Sequence, residues 1–341
     1  MSLLRALIGT ARLVRHAPRL AAVLPPDDDV LLDAPDGRLA PALVAAALAD
    51  PGPAARLLAA TREAAEWENR DRYVARLATF AYNRDDWLAQ WLSAAPRDPD
   101  ALLVKAQLAM RKAWDSPARA ERLRELGPMI DAAAEAAPRD PVPWRLALDH
   151  ARGTHAAHTE FETLWEQAVR RSPHHYGCHV AALKYLSAQW YGSHSECFDF
   201  AEQAAEDALP GSLIQALPAR AAFAELLVGT GRLHEDRIDA AADRAVALSA
   251  AYPVGDPWPA EVRNLLVYVL VRRGRWDEAL EEFRRLGPCA TSFPWTLVGE
   301  DPLARFLAAR DAVRVEVARS TPLREAGRGR AGRGGPRGHY A

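Results

Sequence analysis

Seven of the ten histidines and two of the three cysteines in this chain fall between residues 150 and 197. His175 and His179 are four residues apart, so they would share one face of a helix, and Cys178 lies beside that face. Imidazole and thiolate groups are ligands that Zn²⁺ prefers, and a structural zinc site takes four of them in a tetrahedron. One helix supplies two or three, so the rest would come from the next hairpin. The spacing therefore indicates a candidate metal site of His175, His179, His194 and Cys197. The alternative is a set of loop and surface histidines with two buried free thiols.

A second group of residues that could do chemistry follows at once in the sequence. Trp190-Tyr191-Gly192-Ser193-His194 ends one apolar stretch and precedes another. Ser193 can cap a new helix, with Glu196 completing a capping box three residues later. Aromatic rings and an imidazole at such a turn are suited to contact a ligand or peptide on a concave face, so these five residues are the candidate binding site. The alternative is a plain turn between repeats in which Gly192 permits a positive φ.

Motifs for catalysis are missing from the sequence. It contains no phosphate-binding glycine loop followed by lysine, no G-x-S-x-G, no H-E-x-x-H and no C-x-x-C. Acidic pairs are frequent, but a helical surface on which many residues are charged produces them by chance. The sequence therefore predicts no catalytic residue and no cofactor. An enzyme or metal-binding protein that uses the histidines and cysteines of residues 150–197 stays as the alternative to a binding protein.

The elements that must position these residues are helices. Ala, Leu, Arg and Glu dominate the composition, and these are strong helix formers, whereas the β-branched residues that favour strands are scarce. No stretch alternates between apolar and polar residues for long enough to indicate a sheet. The fold class predicted from the sequence is all-α.

Three proline-containing breaks interrupt the helical pattern at similar spacing. They are residues 95–99 (APRDP), 137–141 (APRDP) and 172–176 (SPHHY). Proline ends a helix because it lacks the backbone donor and clashes with the preceding turn, and the following aspartate can cap the next helix. Self-similarity at this spacing is typical of solenoids of helical hairpins. The sequence predicts an α-α superhelix of this kind.

The clearest single unit covers residues 264–287 and resembles a tetratricopeptide repeat. Its first helix ends at Gly274, and Trp276, Ala279, Leu280 and Phe283 follow at the spacing of an inward helix face. A less regular unit spans residues 213–253, with its turn at residues 229–231. We expect five tryptophans at helical spacing to pack between hairpins: Trp87, Trp91, Trp144, Trp165 and Trp276.

The order of several segments is similar to a bacterial family of tetratricopeptide-like proteins, known chiefly from actinobacteria and described as a domain of unknown function. The segments that carry the resemblance are residues 64–73 (AAEWENRDRY), 87–98 (WLAQWLSAAPRD), 138–144 (PRDPVPW), 293–295 (FPW) and the Trp190–His194 turn. Where its members carry Lys-Trp-His-Gly, this chain has Gln189-Trp190-Tyr191-Gly192, so a role for the lysine or histidine of that turn does not transfer. The resemblance implies a fold over residues 40–310 and supplies no activity.

The sequence divides into four predicted parts. Residues 1–24 form an amphipathic basic helix, residues 25–39 a linker, residues 40–320 the tetratricopeptide-like domain, and residues 321–341 a disordered Arg/Gly-rich tail. We expect residues 1–20 to dock on the body, with contact to an anionic membrane surface as the alternative.

The charge and the cysteines limit the kinds of partner and the location. The formal net charge is −2, which is not that of a dedicated nucleic-acid binder, although the arginines of the tail leave RNA open as a weaker alternative. No apolar run is long enough to span a membrane. An odd number of cysteines without disulfide spacing fits reduced thiols in the cytoplasm. The sequence thus predicts a cytoplasmic helical-repeat scaffold, not an enzyme, that binds a protein or peptide.

Overall fold

A computed structural model describes residues 24–229 and 234–320, and helices make up most of this part of the chain. The helices are α1 (Ala40–Ala47), α2 (Gly52–Glu63), α3 (Trp67–Ala81), α4 (Asp86–Ala94), α5 (Pro99–Trp114), α6 (Arg119–Arg124), α7 (Gly127–Ala136), α8 (Val142–Thr154), α9 (His158–Arg171), α10 (Tyr176–Tyr185), α11 (His194–Glu206), α12 (Leu217–Val228), α13 (Glu235–Ala250), α14 (Ala260–Arg272), α15 (Trp276–Leu286), α16 (Ser292–Trp295) and α17 (Pro302–Ser320). Two short 3-10 helices (Asp27–Asp29, Leu213–Ala216) and two strands, β1 (Leu31–Leu32) and β2 (Cys289–Ala290), complete the described elements. The all-α prediction is confirmed.

The three predicted breaks separate helices, and a side chain at each break accepts a backbone N–H group of the helix that follows. Asp98 accepts hydrogen bonds from the backbone N–H groups of Asp100 and Ala101, both at 2.9 Å. Asp140 accepts from Val142 N at 2.9 Å. At the third break the acceptor is His175, whose Nδ1 accepts the backbone N–H of Cys178 at 3.2 Å. The repeated break thus uses the same physical device three times, with a different residue at the last position.

Helices that alternate along the chain contact one another in a row. In this row α3 contacts α5, α5 contacts α8, α8 contacts α10, α10 contacts α12, and α12 contacts α14. The helices between them, including α7, α9, α11 and α13, pack against members of the row. In addition, α3 reaches α8 and α10, which brings the early and the middle hairpins close together.

The unit that most resembles a tetratricopeptide repeat folds as predicted. Gly274 has a φ of +70° between α14 and α15, a conformation that favours glycine. Ala279, Leu280 and Phe283 are buried on the inward side of α15, and Trp276 is partly buried. The turn predicted at residues 229–231 lies mostly outside the described residues.

The segment predicted as a linker is held against the other end of the molecule. Strand β1 pairs in parallel with β2, with Leu31 opposite Cys289. Asp33 accepts a hydrogen bond from Ser292 N at 3.0 Å, and Asp27 pairs with Arg310. Residues 24–39 are therefore a strap that joins the first hairpins to the last, and the division of the chain at residues 25–39 stays a prediction. The predicted helix at residues 1–24 and the predicted tail at residues 321–341 lie outside the described residues, apart from Leu24.

The tryptophans predicted to pack between hairpins do so to different degrees. Trp87 and Trp91 are buried, whereas Trp144, Trp165 and Trp276 are only partly covered at the edges of apolar clusters. Throughout residues 24–229 and 234–320, no helix is both long enough and apolar enough to cross a membrane.

Candidate binding cavity

The residues between α10 and α11 form a tight turn, residues 186–193, here called the Trp190 turn. Three backbone bonds hold it, from Trp190 N to Ser187 O at 2.8 Å, from Tyr191 N to Tyr185 O at 3.1 Å and from Gly192 N to Ser187 O at 3.3 Å. A Cβ atom on Gly192 would come within 2.2 Å of the Leu186 carbonyl oxygen. Glycine is required here because of this close approach. The positive φ expected at Gly192 is not found.

Ser193 caps α11 as predicted. Its hydroxyl accepts the backbone N–H of Glu196 at 3.2 Å and donates to the Glu196 carboxylate at 2.8 Å. The side chain of Glu196 therefore returns to the hydroxyl of Ser193, whereas a standard capping box would return it to the backbone N–H. The cap fixes the direction in which α11 leaves the turn.

Two neighbouring aromatic residues of the turn have different surroundings. Tyr191 stacks on Tyr185 with ring centroids 4.5 Å apart, and its hydroxyl contacts His155 Nδ1 at 2.6 Å. Tyr191 therefore ties the turn to the hairpins before it. Trp190 instead meets the ring of Trp114 edge-on at 5.7 Å. Of this pair, Trp190 is the residue placed on a cavity wall.

Arg152 lies between the two tryptophan rings. Its guanidinium carbon is 4.6 Å from the ring centroids of both Trp114 and Trp190. One guanidinium nitrogen donates to Asp149 at 3.1 Å, while the buried Nε has no hydrogen-bond partner among the described residues. The arginine is only 8% exposed. Contact of a cation with two indole faces is favourable and fixes the orientation of both rings.

These side chains belong to a cavity of about 810 Å³, here called the Trp190 cavity. Its wall is formed by Trp114, Arg119, Arg152, Val180, Leu183, Lys184, Ser187, Ala188, Gln189, Trp190, His194, Cys197, Arg220, Phe223, Ala224, Leu227, Val228, Phe293 and Leu297. Four of these described lining residues are lysine or arginine, and none is acidic. The rest are mainly apolar or aromatic. An anionic group attached to an apolar body has the matching chemistry.

Two of the cations in the wall already have acidic partners behind it. Arg152 pairs with Asp149, and Arg220 pairs with Glu261. Arg220 also donates to the Tyr176 hydroxyl at 2.9 Å and lies 4.4 Å from the ring centroid of Phe293. Both guanidinium groups are therefore held in place by the protein itself.

Lys184 differs from these two arginines. Within the described residues its ammonium group makes no hydrogen bond and no ion pair. Its side chain is exposed and forms part of the cavity wall. Loss of hydration beside this wall lowers the pKa of Lys184 from its ordinary value; Asp149 opposes this shift, while Arg220 and Arg152 add to it. Lys184 is thus a cation without a direct ion pair in a mainly apolar wall.

A second cavity of about 760 Å³ lies next to the first and shares Trp190 and Arg119 with it. Arg124 and His155 line this neighbour together with Glu121. Trp190 and Arg119 therefore stand at the boundary of both cavities.

The residues predicted as metal ligands have other partners. His175 Nδ1 caps α10, so the residue precedes the helix instead of sharing a face of it with His179. His179 Nδ1 contacts the His175 carbonyl oxygen at 2.9 Å. The Cys197 thiol donates to Leu183 O at 3.5 Å, and burial raises its pKa to about 12. His194 lines the Trp190 cavity with a buried Nδ1 that has no partner in the described part of the chain.

These positions do not assemble a metal centre. Across residues 24–229 and 234–320, no three histidine, cysteine, aspartate or glutamate side chains form a group that could hold a metal ion. The spacing of His175 and His179 suggested ligands because the sequence did not reveal that His175 is a helix cap.

Sequence reasoning found Trp190 and His194 but not the cationic part of the cavity. Lys184, Arg152 and Arg220 come from three different helices, α10, α8 and α12, and no motif connects them. One signal was present. Only three of the 43 lysine and arginine residues are lysine, so each lysine in this arginine-rich chain was worth inspecting.

Comparison of the chain with models of protein families, with curated proteins and with solved structures found no match. The resemblance to the actinobacterial tetratricopeptide-like family stays a prediction.

Proposed function

We propose that this protein is a binding scaffold that takes up a peptide segment of a partner protein in the Trp190 cavity. The observation that supports the proposal best is the wall of this cavity, in which four basic residues and no acidic residue stand among apolar and aromatic side chains. Binding sites for organic ligands commonly combine apolar walls with a few polar groups that fix orientation.

The rim and the neighbouring cavity favour a peptide over a small compact molecule. Val228 and Leu297, at the edge of the Trp190 cavity, are 74% and 54% exposed. Large apolar side chains left open beside a cavity extend the surface on which a partner can pack. The second cavity, which shares Trp190 and Arg119 with the first, adds further surface beside it. Solenoids of helical hairpins commonly bind extended segments on such surfaces.

The location and the family belong to this proposal as well. Cys178, Cys197 and Cys289 are all free thiols, which supports a reducing compartment such as the cytoplasm. The stacked hairpins support membership in a tetratricopeptide-like family. The alternative of a metal-dependent function has no supporting geometry among the described residues.

Selection from a displayed library of random twelve-residue peptides tests the proposal. We expect enriched peptides to bind the wild-type protein and to lose at least tenfold in affinity for Trp190→Ala. The matched control is Trp144→Ala, because Trp144 is also partly buried and carries an arginine, Arg171, 4.3 Å from its ring centroid. Circular dichroism checks that both variants are folded.

Peptides that bind Trp190→Ala as well as the wild type would place the site elsewhere. Selection that enriches no peptide above an unrelated control protein would contradict the proposal as a whole.

A further inference from the structure

Three of the four cations in the wall of the Trp190 cavity, Arg152, Lys184 and Arg220, are here called its floor; the fourth, Arg119, lies where the wall meets the second cavity. The acids that pair with or act on the floor are Asp149 and Glu261, so the floor has one positive charge more than these acids can balance. The imbalance lies at Lys184, the member without a direct ion pair. One monoanionic group placed there would neutralise the floor.

Each of the two arginines already has an acidic partner. Arg152 is held between Trp114 and Trp190 and bonded to Asp149. Arg220 uses Nε for Tyr176 and a terminal nitrogen for Glu261. The floor lacks one negative charge, at a lysine ammonium that acts as a point charge. A single carboxylate balances this charge, whereas a doubly charged phosphate would leave the floor negative.

The surroundings of Lys184 indicate what the carboxylate is attached to. Phe223, Phe293 and Trp190 stand in the same wall, and Leu297 extends from it to the exposed rim. Aromatic and aliphatic walls gain free energy when they cover apolar side chains of a ligand. A carboxylate on Lys184 would therefore have bulky apolar groups on either side of it.

The shape of the groove indicates that the carboxylate belongs to a side chain. The second cavity shares Trp190 and Arg119 with the Trp190 cavity, and Val228 and Leu297 add exposed apolar surface at its edge. This surface beyond Lys184 can hold residues of a chain that continues past the anion site, and a chain terminus anchored there would not need it. We infer that Lys184, between Arg152 and Arg220, binds the carboxylate of an internal glutamate or aspartate in a peptide whose neighbouring residues are bulky and apolar. This inference rests on the proposed function.

Synthetic peptides with both ends capped test the inference directly. The probes are biotinylated nonapeptides with glutamate at the centre and Leu, Phe, Tyr or Trp on either side, and each has a twin with glutamine at the centre. We expect the glutamate peptides to bind the full chain at least tenfold more tightly than their twins in 50 mM NaCl. Raising NaCl to 500 mM should reduce this ratio, because salt screens the ion pair and leaves apolar contacts in place.

Two lysine variants assign the charge. We expect Lys184→Met to remove the difference between the glutamate and glutamine peptides, whereas Lys105→Met should keep it. Lys105 is the matched control because it is exposed on α5, outside the residues that line the cavity. The salt series on the wild-type protein gives an independent reading if Lys184→Met does not fold.

The outcomes separate the inference from the proposed function. If the glutamate peptides and their glutamine twins bind equally tightly, the proposed anion site is wrong, while peptide binding in the cavity still holds. Uncapped peptides whose affinity depends on the free C-terminal carboxylate and not on the central residue would overturn the internal position. If neither set binds and the library selection also fails, the proposed function itself is wrong.

Discussion

Two clusters of charged residues in this protein use the same amino acids in opposite ways. The first, here called the Arg70 cluster, consists of Arg62, Arg70, Asp100 and Asp140. Arg70 is fully buried and pairs with Asp100 at 2.7 Å and with Asp140 at 2.6 Å. It also donates to the Leu58 carbonyl oxygen at 2.9 Å. The cluster has two positive and two negative groups, so it is neutral and needs nothing from outside.

The floor of the Trp190 cavity is the second cluster. It is open to solvent and has three cations against two acids, with Lys184 unpaired. The difference teaches that charged residues inside a helical solenoid do not indicate function by their number. Solvent access and an unbalanced charge distinguish a candidate ligand site from a structural network, because every charge in a buried, paired network already has its partner.

The largest expected effect is on the Arg70 cluster. Arg70→Met leaves Asp140 buried without its cation and Asp100 with Arg62 alone, so we expect the free energy of unfolding to fall by about 3–5 kcal/mol. Burial raises the pKa of Asp140 even with Arg70 present to oppose it. In the variant the Asp140 carboxyl should take up a proton more readily. The difference in free energy of unfolding between the variant and the wild type should therefore shrink as the pH falls from 7 towards 5. Urea unfolding followed by circular dichroism measures both effects.

Arg97→Met serves as the control for this measurement. Arg97 is exposed, and its replacement should change the free energy of unfolding by less than about 0.5 kcal/mol. Equal losses in the two variants would mean that the Arg70 cluster does not hold α2, α3, α5 and α8 together.

The two clusters also differ in how far the sequence could predict them. The breaks at residues 95–99 and 137–141 gave correct positions for the caps Asp98 and Asp140, because local chain geometry determines a helix cap. The same sequence gave no hint that Asp140 also pairs with Arg70, which lies seventy residues earlier. Contacts between distant hairpins depend on how the helices stack, and this stacking is not encoded in any one segment.

What the sequence did not reveal has a similar cause. His175 was grouped with His179 as a metal ligand, although it occupies the capping position that aspartate occupies at the first two breaks. Residues 25–39 were expected to be a linker because they begin with prolines and aspartates, and this composition gives no sign of the pairing between β1 and β2. Trp190 and His194 were placed at a possible site from local residue types alone. The cations that define the cavity come from α8, α10 and α12, beyond the reach of local patterns.

The next effect concerns the chemical reactivity of the lysines. Because loss of hydration lowers the pKa of Lys184, a larger fraction of its amine is neutral at pH 7.5, and each pKa unit raises that fraction about tenfold. We expect a small neutral acylating reagent to modify Lys184 severalfold faster than Lys105. Digestion and mass spectrometry of a time course measure the two rates. Bound glutamate peptide should slow the reaction at Lys184 only. A rate at Lys184 equal to or below that at Lys105 would show that the amine is paired or sealed off.

A change in the charge balance should strengthen binding. Glu261→Gln removes the acidic partner of Arg220 and leaves the cavity floor with two unbalanced cations. We expect affinity for the glutamate peptides to rise about threefold to tenfold, with little loss of stability because the Glu261 side chain is 46% exposed. The matched control is Glu278→Gln, which removes a similarly exposed partner of Arg275 outside the cavity lining. Unchanged or weaker binding by Glu261→Gln would contradict the role of charge balance.

The smallest expected effect is the loss of Lys184 from the unliganded protein. An ammonium group without a partner gives the folded state no ion pair, and its lowered pKa means that folding disfavours its charge. We therefore expect Lys184→Met to change the free energy of unfolding at pH 7 by no more than about 0.5 kcal/mol, or to raise it slightly. The same urea titration that detects the large loss in Arg70→Met applies here. A loss above about 2 kcal/mol would mean that Lys184 stabilises the fold as Arg70 does, and the distinction between a structural and a ligand-directed cluster would fail.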